Sequence, residues 1–175
     1  MSKENPYPIQ YIEPVILKDN TIVQLRPIHP SDGDHAQDFK EKLSPESIYD
    51  RFLGYAPKMS PAIIEYMTVI DYKKHMAVIA ETRIDDQKEI IGVGRIAKDG
   101  KNEAEFSIII ADAWHGNGLG SIMTDYMLCI AKDLGYQKIY SLVFTRNQRM
   151  LEILKHDGFS FYTEDQLTTK AVKEL

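Results

Sequence analysis

Residues 105–144, "EFSIIIADAWHGNGLGSIMTDYMLCIAKDLGYQKIYSLVF", decide the fold, because a strand, a glycine-rich turn, a helix and a second strand follow one another there. The apolar run "EFSIII" indicates the first strand. Apolar residues then recur at helical spacing from Gly118 to about Leu134, and Gly135 is typical of a helix C-terminus. "KIYSLVF" indicates the second strand. Strand–helix–strand order predicts a locally parallel pair inside a mixed sheet.

The flanking sequence predicts the rest of an α/β domain. "VILKDNTIVQLRPI" indicates two short strands around a turn at Asp19–Asn20. Ser31–Asp32, Ser44–Pro45 and Ser60–Pro61 are typical helix starts. "HMAVIAETRI" and "EIIGVGRIAK" indicate a hairpin, and "NQRMLEILKHD" a helix capped by Asn147, followed by strands in "GFSFYTE" and "LTTKAVKE". The predicted order is ββ-ααα-ββ-β-α-β-α-ββ, a twisted mixed sheet of about seven strands with helices on both faces.

Composition restricts the kind of protein. A chain of 175 residues is expected to form one domain, here residues 15–175 after a lead-in at 1–14. The net charge of −5 argues against nucleic acid. Neither a signal peptide nor a run of roughly 18 apolar residues is found, so no membrane is expected. The oligomeric state stays open, a dimer included.

Cysteine and histidine usage predicts a cytoplasmic protein without a metal. The single cysteine, Cys129, cannot form an internal disulfide and fits a reducing compartment. Its neighbours on the predicted helix are apolar, so we expect it to be a buried small hydrophobe. The five histidines show no metal-ligand spacing.

Glycine at every second position, Gly116, Gly118 and Gly120, indicates a phosphate site where the strand turns into the helix. The P-loop pattern fails because no lysine follows Gly120, and the dinucleotide pattern G-x-G-x-x-G fails from any of these glycines. The pattern [QR]-x-x-G-x-[GA] is met at both of its glycines, with His115 at its first position. The alternative is a strand-to-helix turn that binds nothing.

With this loop the sequence resembles the GCN5-related N-acetyltransferase (GNAT) superfamily. The resemblance extends from the "EFSIII" strand to the terminal "GF" of "LKHDGF". Upstream, "LRPIHPSD", "LSPESIYDRFLG" and "IDYKKHMAVIAE" look like the acetyltransferase domain of bacterial protein-lysine acetyltransferases of the Pat type. The resemblance implies a GNAT fold that binds acetyl-CoA and acylates an amine.

The resemblance also implies which residues hold the acyl-CoA. Backbone amides of residues 115–120 would contact the pyrophosphate, and the strand before the loop would separate from its neighbour through a bulge to admit the pantetheine arm. Amides on that strand could also hold the thioester carbonyl as it gains charge. The implied cofactor-binding residues are Ile108, Ile109, Ile110, His115, Gly116, Asn117, Gly118, Leu119, Gly120, Ser121 and Asn147. His115 and Asn117 depart from the Gln or Arg and the basic residue that are usual there.

Glu105 is the candidate general base. A free lysine has a pKa of about 10.4, so its deprotonation at pH 7 costs about 4.6 kcal/mol, and a positioned carboxylate can take that proton. In Pat-type enzymes a glutamate at this place is the base. Glu103 would face the same side of the strand and ranks second. The alternative is that Glu105 is an ordinary solvated strand residue.

Two further positions follow from the resemblance. Many family members use a tyrosine as general acid, and the position aligned with it is Leu154, in a helix without tyrosine. Asp71 would border the acceptor groove and could meet a substrate lysine, but an ordinary solvated turn explains it equally well. Asn147 has two readings, a pantetheine contact and a helix N-cap.

The function that these residues predict is N-acetyl transfer from acetyl-CoA to a primary amine, with a protein lysine as the leading acceptor. Attack would be direct, in a ternary complex. Two alternatives stay open. One is an acetyltransferase that acts on a small-molecule amine, and the other is a non-catalytic acyl-CoA sensor that has kept the phosphate loop.

Overall fold

A computed structural model describes residues 6–175, so part of the predicted lead-in at 1–14 lies outside the described residues. Its strands are β1 Glu13–Ile16, β2 Ile22–Pro27, β3 His75–Ile84, β4 Gln87–Lys98, β5 Glu103–Ile110, β6 Lys138–Phe144, β7 Ser160–Thr163 and β8 Thr168–Glu174. Its helices are α1 Gly33–Glu41, α2 Pro45–Phe52, α3 Pro61–Thr68, α4 Leu119–Asp133 and α5 Gln148–His156. The predicted order of elements is confirmed.

The described strands form one mixed sheet in the order β1-β2-β3-β4-β5-β6-β8-β7. It has eight strands, where the sequence predicted about seven. Neighbouring strands are antiparallel except β5 and β6, whose pairing is parallel. This confirms the parallel pair that the strand–helix–strand order predicted.

The parallel pairing of β5 with β6 is short, and it leaves a gap between the two strands beyond their paired residues. Only Glu103, Ala104 and Glu105 pair with β6, opposite Lys138, Ile139 and Tyr140. Beyond Glu105 the two strands separate. The bulge expected in β5 is absent, because its register with β4 runs unbroken from Gly92↔Ile110 to Lys98↔Ala104. The separation is therefore produced by the early end of β5–β6 pairing.

The helices cover both faces of the sheet. Residues of α4 pack with strand residues such as Phe106, Ile96 and Ile139 in one buried cluster. On the other face, Phe39 of α1 packs with Ile79 of β3 in a second cluster. Burial of these apolar side chains is the main favourable term in folding.

The helix starts predicted at Ser44–Pro45 and Ser60–Pro61 agree with the structure, whereas near Ser31–Asp32 a short 3-10 turn, Pro30–Asp32, capped by the His29 side chain, precedes α1. The side chains of Ser44 and Ser60 accept hydrogen bonds from the backbone N–H of Ser47 and Ile63, each ahead of a proline at the first helical position. The expectation for Cys129 is wrong, because its side chain is exposed. The helix turns residue 129 away from the sheet although Leu128 and Ile130 beside it are buried. Within residues 6–175, no helix has the length and apolar character needed to cross a bilayer.

A buried ion network joins the N-terminal half of the sheet to α1. Arg26 of β2 donates to both carboxylate oxygens of Asp32 at 2.8 Å, and to one carboxylate oxygen of Glu81 on β3 at 2.8 Å. Lys88 on β4 lies 3.0 Å from the other oxygen of Glu81. Burial alone would raise the pKa of each carboxyl group, but the Arg26 guanidinium outweighs burial and lowers the pKa of Asp32 and Glu81.

Candidate active site

Gly116, Gly118 and Gly120, at the turn into α4, are each required for a different structural reason. Gly116 and Gly118 have φ values of 84° and 88°, in the left-handed region that favours glycine. Gly118 immediately precedes the first residue of α4. Gly120 lies inside the helix, and a Cβ there would come within 2.9 Å of Ile153 Cδ1 on α5. The first two therefore shape the turn, and the third allows α4 and α5 to approach closely.

A row of backbone amides opens at this turn. Among the described residues, no backbone carbonyl or side chain accepts a hydrogen bond from the N–H groups of residues 116–121. Three of these amides belong to the first turn of α4, where the helix dipole is positive. His115 is different, because its N–H donates to Asp112 O at 3.2 Å. The available amides thus run from Gly116 to Ser121 and do not begin at His115.

A cavity of about 410 Å³ lies beside these amides, where β5 and β6 separate. Strand residues 107–110 and 141–143 form part of its wall. Most of the residues that the resemblance assigned to acyl-CoA binding line this cavity. They are Ile108, Ile109, Ile110, His115, Gly116, Gly118, Gly120, Ser121 and Asn147. The cavity therefore lies between β5 and β6, where the family resemblance would place the pantetheine arm, and binding of that arm stays a prediction.

Two predicted residues contribute no side chain to this cavity. Leu119 is 1% exposed and packs in the core, so only its backbone N–H faces the loop. The side-chain amide of Asn117 donates to Asp19 at 3.1 Å, and its backbone carbonyl accepts from the N–H of Lys18. Asn117 thereby ties the loop to the β1–β2 turn.

Two basic side chains that sequence reasoning missed lie at the loop. Lys18, from the β1–β2 turn, lines the cavity and would be 3.4 Å from a Cβ on Gly118. Arg149 of α5 also lines the cavity and contacts Nδ1 of His115. They place positive charge where His115 replaces the usual Gln or Arg. No local sequence signal marks either residue, because each comes from a distant element.

The His115 ring is bonded on both sides. Its Nε2 lies 2.9 Å from the carbonyl of Ile110, which can only accept a hydrogen bond. Nδ1 meets the Arg149 guanidinium, which can only donate. This arrangement requires the neutral ring with its proton on Nε2. His115 thus acts as a bridge between β5 and α5, and the positive charge beside the loop comes from Lys18 and Arg149.

Asn147 has the geometry of a helix cap. Its side-chain oxygen accepts from the backbone N–H of Met150 at 3.1 Å at the start of α5. It also lines the first cavity. The capping role is therefore present, while the pantetheine contact stays a prediction.

A second cavity, of about 290 Å³, adjoins the first on the α1–α3 side of β5. Its walls are mostly apolar and include Phe39, Phe52 and Met67. Three residues line both cavities: Arg51, Ser107 and Ile109. The two spaces therefore meet at β5, next to the point where its pairing with β6 ends.

Glu105 lines this second cavity, and Glu103 lines neither of the two. Alternation along β5 puts Glu105 on the same face as Ser107 and Ile109. Glu103 is the first residue of β5, and Lys138 Nζ lies 3.3 Å from its carboxylate. Of the two carboxylates, Glu105 is the one that an occupant of the second cavity can reach.

Helix α2 brings Arg51 to the junction of the two cavities. Asp112, just after β5, holds the start of this helix by accepting from the Ser44 N–H at 2.9 Å and from the hydroxyls of Ser44 and Ser47 at 2.7 and 2.8 Å. Burial lowers the pKa of Arg51, while the charge of Glu105 acts in the opposite direction. The sequence analysis did not single out Arg51.

The remaining predicted positions have structural roles. Asp71 accepts hydrogen bonds from the backbone N–H groups of Lys73, Lys74 and His75, which makes it a turn residue, and it lines neither cavity. Leu154 is fully buried in the core, so the position of the family's tyrosine carries no acid here. Residues 6–175 contain no group of three or more side chains that could hold a metal.

Sequence comparisons identify related acetyltransferases. Residues 23–160 match the family model described as an acetyltransferase (GNAT) domain. An acetyltransferase of Pseudomonas aeruginosa is 28% identical over 160 residues, which cover 91% of this chain and 86% of that protein. Acetyltransferase Pat of Mycolicibacterium smegmatis is 28% identical over 155 residues, 87% of this chain. Those residues are 45% of Pat, so the chain spans less than half of that relative.

Solved structures agree on the fold. The GNAT domain of S. lividans PAT has a TM-score of 0.87 at 23% identity, covering 97% of this chain and 99% of that domain. Mycobacterium smegmatis RimJ, solved in complex with CoA-disulfide, has a TM-score of 0.69 at 15% identity and covers 93% of this chain and 86% of RimJ. Because the family model matches most of the chain, and these structures share its fold, the chain belongs to the GNAT family of acetyltransferases, which use acetyl-CoA.

Proposed function

We propose that this protein transfers the acetyl group of acetyl-CoA to a primary amine, with a protein lysine as the leading acceptor and Glu105 as general base. The observation that carries the proposal is the meeting of the two cavities at β5. One contains the open amides before α4, and the other contains Glu105. Donor and acceptor could therefore be bound together, as direct attack in a ternary complex requires.

The first cavity fits the donor. Six backbone amides at 116–121, with Lys18 and Arg149 beside them, suit the negative charge of a pyrophosphate. The absence of a Cβ at Gly118 keeps the space next to Lys18 open. Acetyl-CoA supplies a thioester whose carbonyl carbon accepts the amine.

The second cavity would take the acceptor, and Glu105 would take the proton that the amine must lose, directly or through a water molecule. The amine nitrogen bonds to the acyl carbon, and the carbon–sulfur bond breaks. Since Leu154 is buried at the position of the family's acid, we propose that the thiolate leaves without a tyrosine donor.

The acceptor class rests on the Pat-like segments of the N-terminal half, such as "LSPESIYDRFLG". Helix α2 lies in one of these segments and brings Arg51 and Phe52 to the second cavity. A cytoplasmic location belongs to the same proposal, on the ground of the single cysteine.

Substitution of Glu105 tests the proposal. In Glu105→Gln we expect kcat/KM for an amine acceptor to fall about 100-fold to 10,000-fold, because a general base typically contributes that much. The affinity for acetyl-CoA should stay unchanged, since Glu105 does not line the first cavity. The measurement is release of free CoA with a panel of amines, including lysine peptides, together with calorimetric binding of acetyl-CoA.

Glu103→Gln is the matched control, because it removes the same charge two residues away on the same strand and lines neither cavity. It should keep wild-type turnover. Equal loss in both variants would contradict the assignment of the base.

The sensor alternative is favoured by one observation, the buried leucine at the position of the family's acid. The same assay separates it from the enzyme. Binding of acetyl-CoA without release of CoA above background, with every acceptor tried, would establish the sensor and exclude the transferase.

A further inference from the structure

The second cavity contains more positive charge than an amine pocket needs. Its charged lining residues are Lys40, Arg51 and Arg95, against a single carboxylate, Glu105. The whole chain carries a net charge of −5, so this local excess does not follow from composition. An ammonium group alone would be repelled by such a lining.

Arg51 is the least satisfied of these cations. Within residues 6–175 its guanidinium forms no hydrogen bond or ion pair, and it lies 5.1 Å from the centre of the Phe52 ring. A guanidinium carries five donors, and leaving them unpaired in a desolvated place costs free energy. Glu105 influences Arg51 through its charge but lies beyond ion-pair distance. Because Arg51 lines both cavities, its unpaired donors lie at the junction of the two.

Arg95 has hydrogen-bond partners, but no carboxylate in the described part of the chain forms an ion pair with it. It donates to the carbonyl of Met67 at 2.8 Å and meets Nε2 of His75 at 3.1 Å. Both partners are neutral, because a guanidinium can only donate and so requires an unprotonated Nε2. Burial, and then the nearby charge of Arg51, lower the pKa of Arg95 to about 10, which leaves it protonated at neutral pH.

We propose that the second cavity binds a carboxylate carried by one of the two substrates, with Arg51 as its ion-pair partner and Arg95 adding to the local positive potential. This inference rests on the proposed function. Planar guanidinium groups bind carboxylates through two parallel hydrogen bonds, which would give two of the five Arg51 donors a charged partner. The apolar walls would hold the hydrocarbon part of the same ligand, and Glu105 would keep its role toward the amine.

The carboxylate has two chemical sources. An acceptor such as a free amino acid would bring it beside the reactive amine, and a dicarboxylic acyl group such as succinyl would bring it on the donor. Arg51 can serve either one, because it lines both cavities.

A binding experiment tests the inference without turnover. The probes are 3-phenylpropanoate and its neutral amide, measured by calorimetry on the full chain. We expect the carboxylate to bind about tenfold to 100-fold more tightly than the amide, and Arg51→Gln to remove this difference. Arg83→Gln, which removes an exposed arginine at the end of β3, should preserve it.

Loss of folding is controlled in the same experiment. Arg51→Gln removes an unpaired cation from a desolvated site, so its melting temperature should not fall below that of wild type. Arg51→Lys keeps the charge without the bidentate geometry, and it should bind the carboxylate more weakly than wild type and more tightly than Arg51→Gln.

Two pairs of substrates identify the source. Phenylalanine against phenethylamine, with acetyl-CoA, tests the acceptor, and affinity for succinyl-CoA against butyryl-CoA tests the donor. We expect one pair to show a preference of about tenfold or more for the carboxylate, lost in Arg51→Gln.

Equal affinity of the wild type for 3-phenylpropanoate and its amide would overturn the inference. A preference for the carboxylate that survives in Arg51→Gln would also overturn it. Turnover that depends on Glu105 without any carboxylate preference would overturn it and leave the proposed function intact. Carboxylate binding that depends on Arg51, without turnover of any amine, would support the inference and contradict the proposed function.

Discussion

At Gly118 a requirement of the backbone coincides with the binding role that we propose for the loop. Its φ of 88° strains any residue with a Cβ, and its missing side chain keeps space beside Lys18. The N–H groups on either side of it lack partners among the described residues. A single residue therefore controls both the shape of the turn and access to the amides.

We expect Gly118→Glu to lower the affinity for acetyl-CoA by about 100-fold or more, equivalent to about 2.7 kcal/mol. The new carboxylate would lie near Lys18 and repel the phosphates from the amides. Calorimetric titration with acetyl-CoA measures the effect. The fold should persist with a loss of about 1–2 kcal/mol of stability from the left-handed backbone.

Gly100→Glu separates the two effects. Gly100 has a φ of 81° and no atom within 4 Å of its would-be Cβ, so the backbone penalty is similar. It lies in the turn before β5, and its substitution should leave acetyl-CoA affinity unchanged. Unchanged affinity in Gly118→Glu as well would refute the phosphate role of the loop.

At the scale of elements, α2 and the end of β5 act as a unit. Asp112 accepts three hydrogen bonds from Ser44 and Ser47, at the start of the helix that presents Arg51 to both cavities. Burial alone would raise the pKa of Asp112, but these hydrogen bonds outweigh it and lower the pKa. The position of α2 is therefore coupled to the ionisation of one carboxyl group.

We expect Asp112→Ala to lower the free energy of unfolding at pH 7 by about 1–3 kcal/mol, because Ser44 and Ser47 lose their acceptor. Because the pKa of Asp112 is lower in the folded protein than in the unfolded chain, its ionised carboxylate stabilises the fold at pH values above the unfolded pKa of about 3.9. This stabilisation is lost as the pH falls through the folded pKa. The difference between wild type and variant should thus shrink below about pH 4. Urea unfolding at pH 7 and pH 3.5 measures it.

Asp112→Asn is the control for geometry, since it keeps an acceptor of nearly the same shape. It should recover part of the stability at pH 7 and show less dependence on pH than wild type. A difference that stays constant between the two pH values would contradict the ionic explanation.

At the scale of the whole molecule, the network of Arg26, Asp32 and Glu81 holds β2, β3 and the start of α1 together. The side chains of these three residues are 14%, 5% and 7% exposed. Two buried carboxylates depend on one guanidinium, and Lys88 assists only Glu81. Removal of Arg26 would leave charge uncompensated in the interior.

We expect Arg26→Met to cost about 3–5 kcal/mol of unfolding free energy at pH 7. The pKa values of Asp32 and Glu81 are lowered, so their stabilising effect is present above an ordinary carboxyl pKa of about 4 and is lost as pH falls through the folded values. Chemical denaturation across pH 7 to 3 should show the two curves converging toward acid. Arg83→Met, an exposed substitution, should change stability by less than about 0.5 kcal/mol.

The sequence alone determined the elements and the loop, because both depend on neighbours along the chain. Ser–Pro starts, helical spacing and glycine at alternate positions predicted the helices, the parallel pair and the amides before α4. The prediction for Cys129 failed, since apolar neighbours on a helix do not decide which face residue 129 occupies.

Only the tertiary structure decided which side chains complete the site. Lys18 from the β1–β2 turn, Arg51 from α2 and Arg149 from α5 reach the two cavities because the sheet order and the early end of β5–β6 pairing bring those elements together. Spacing along the chain carries no information about such contacts. Local chemistry therefore predicted the open amides at the start of α4, and long-range packing placed the charged side chains around them.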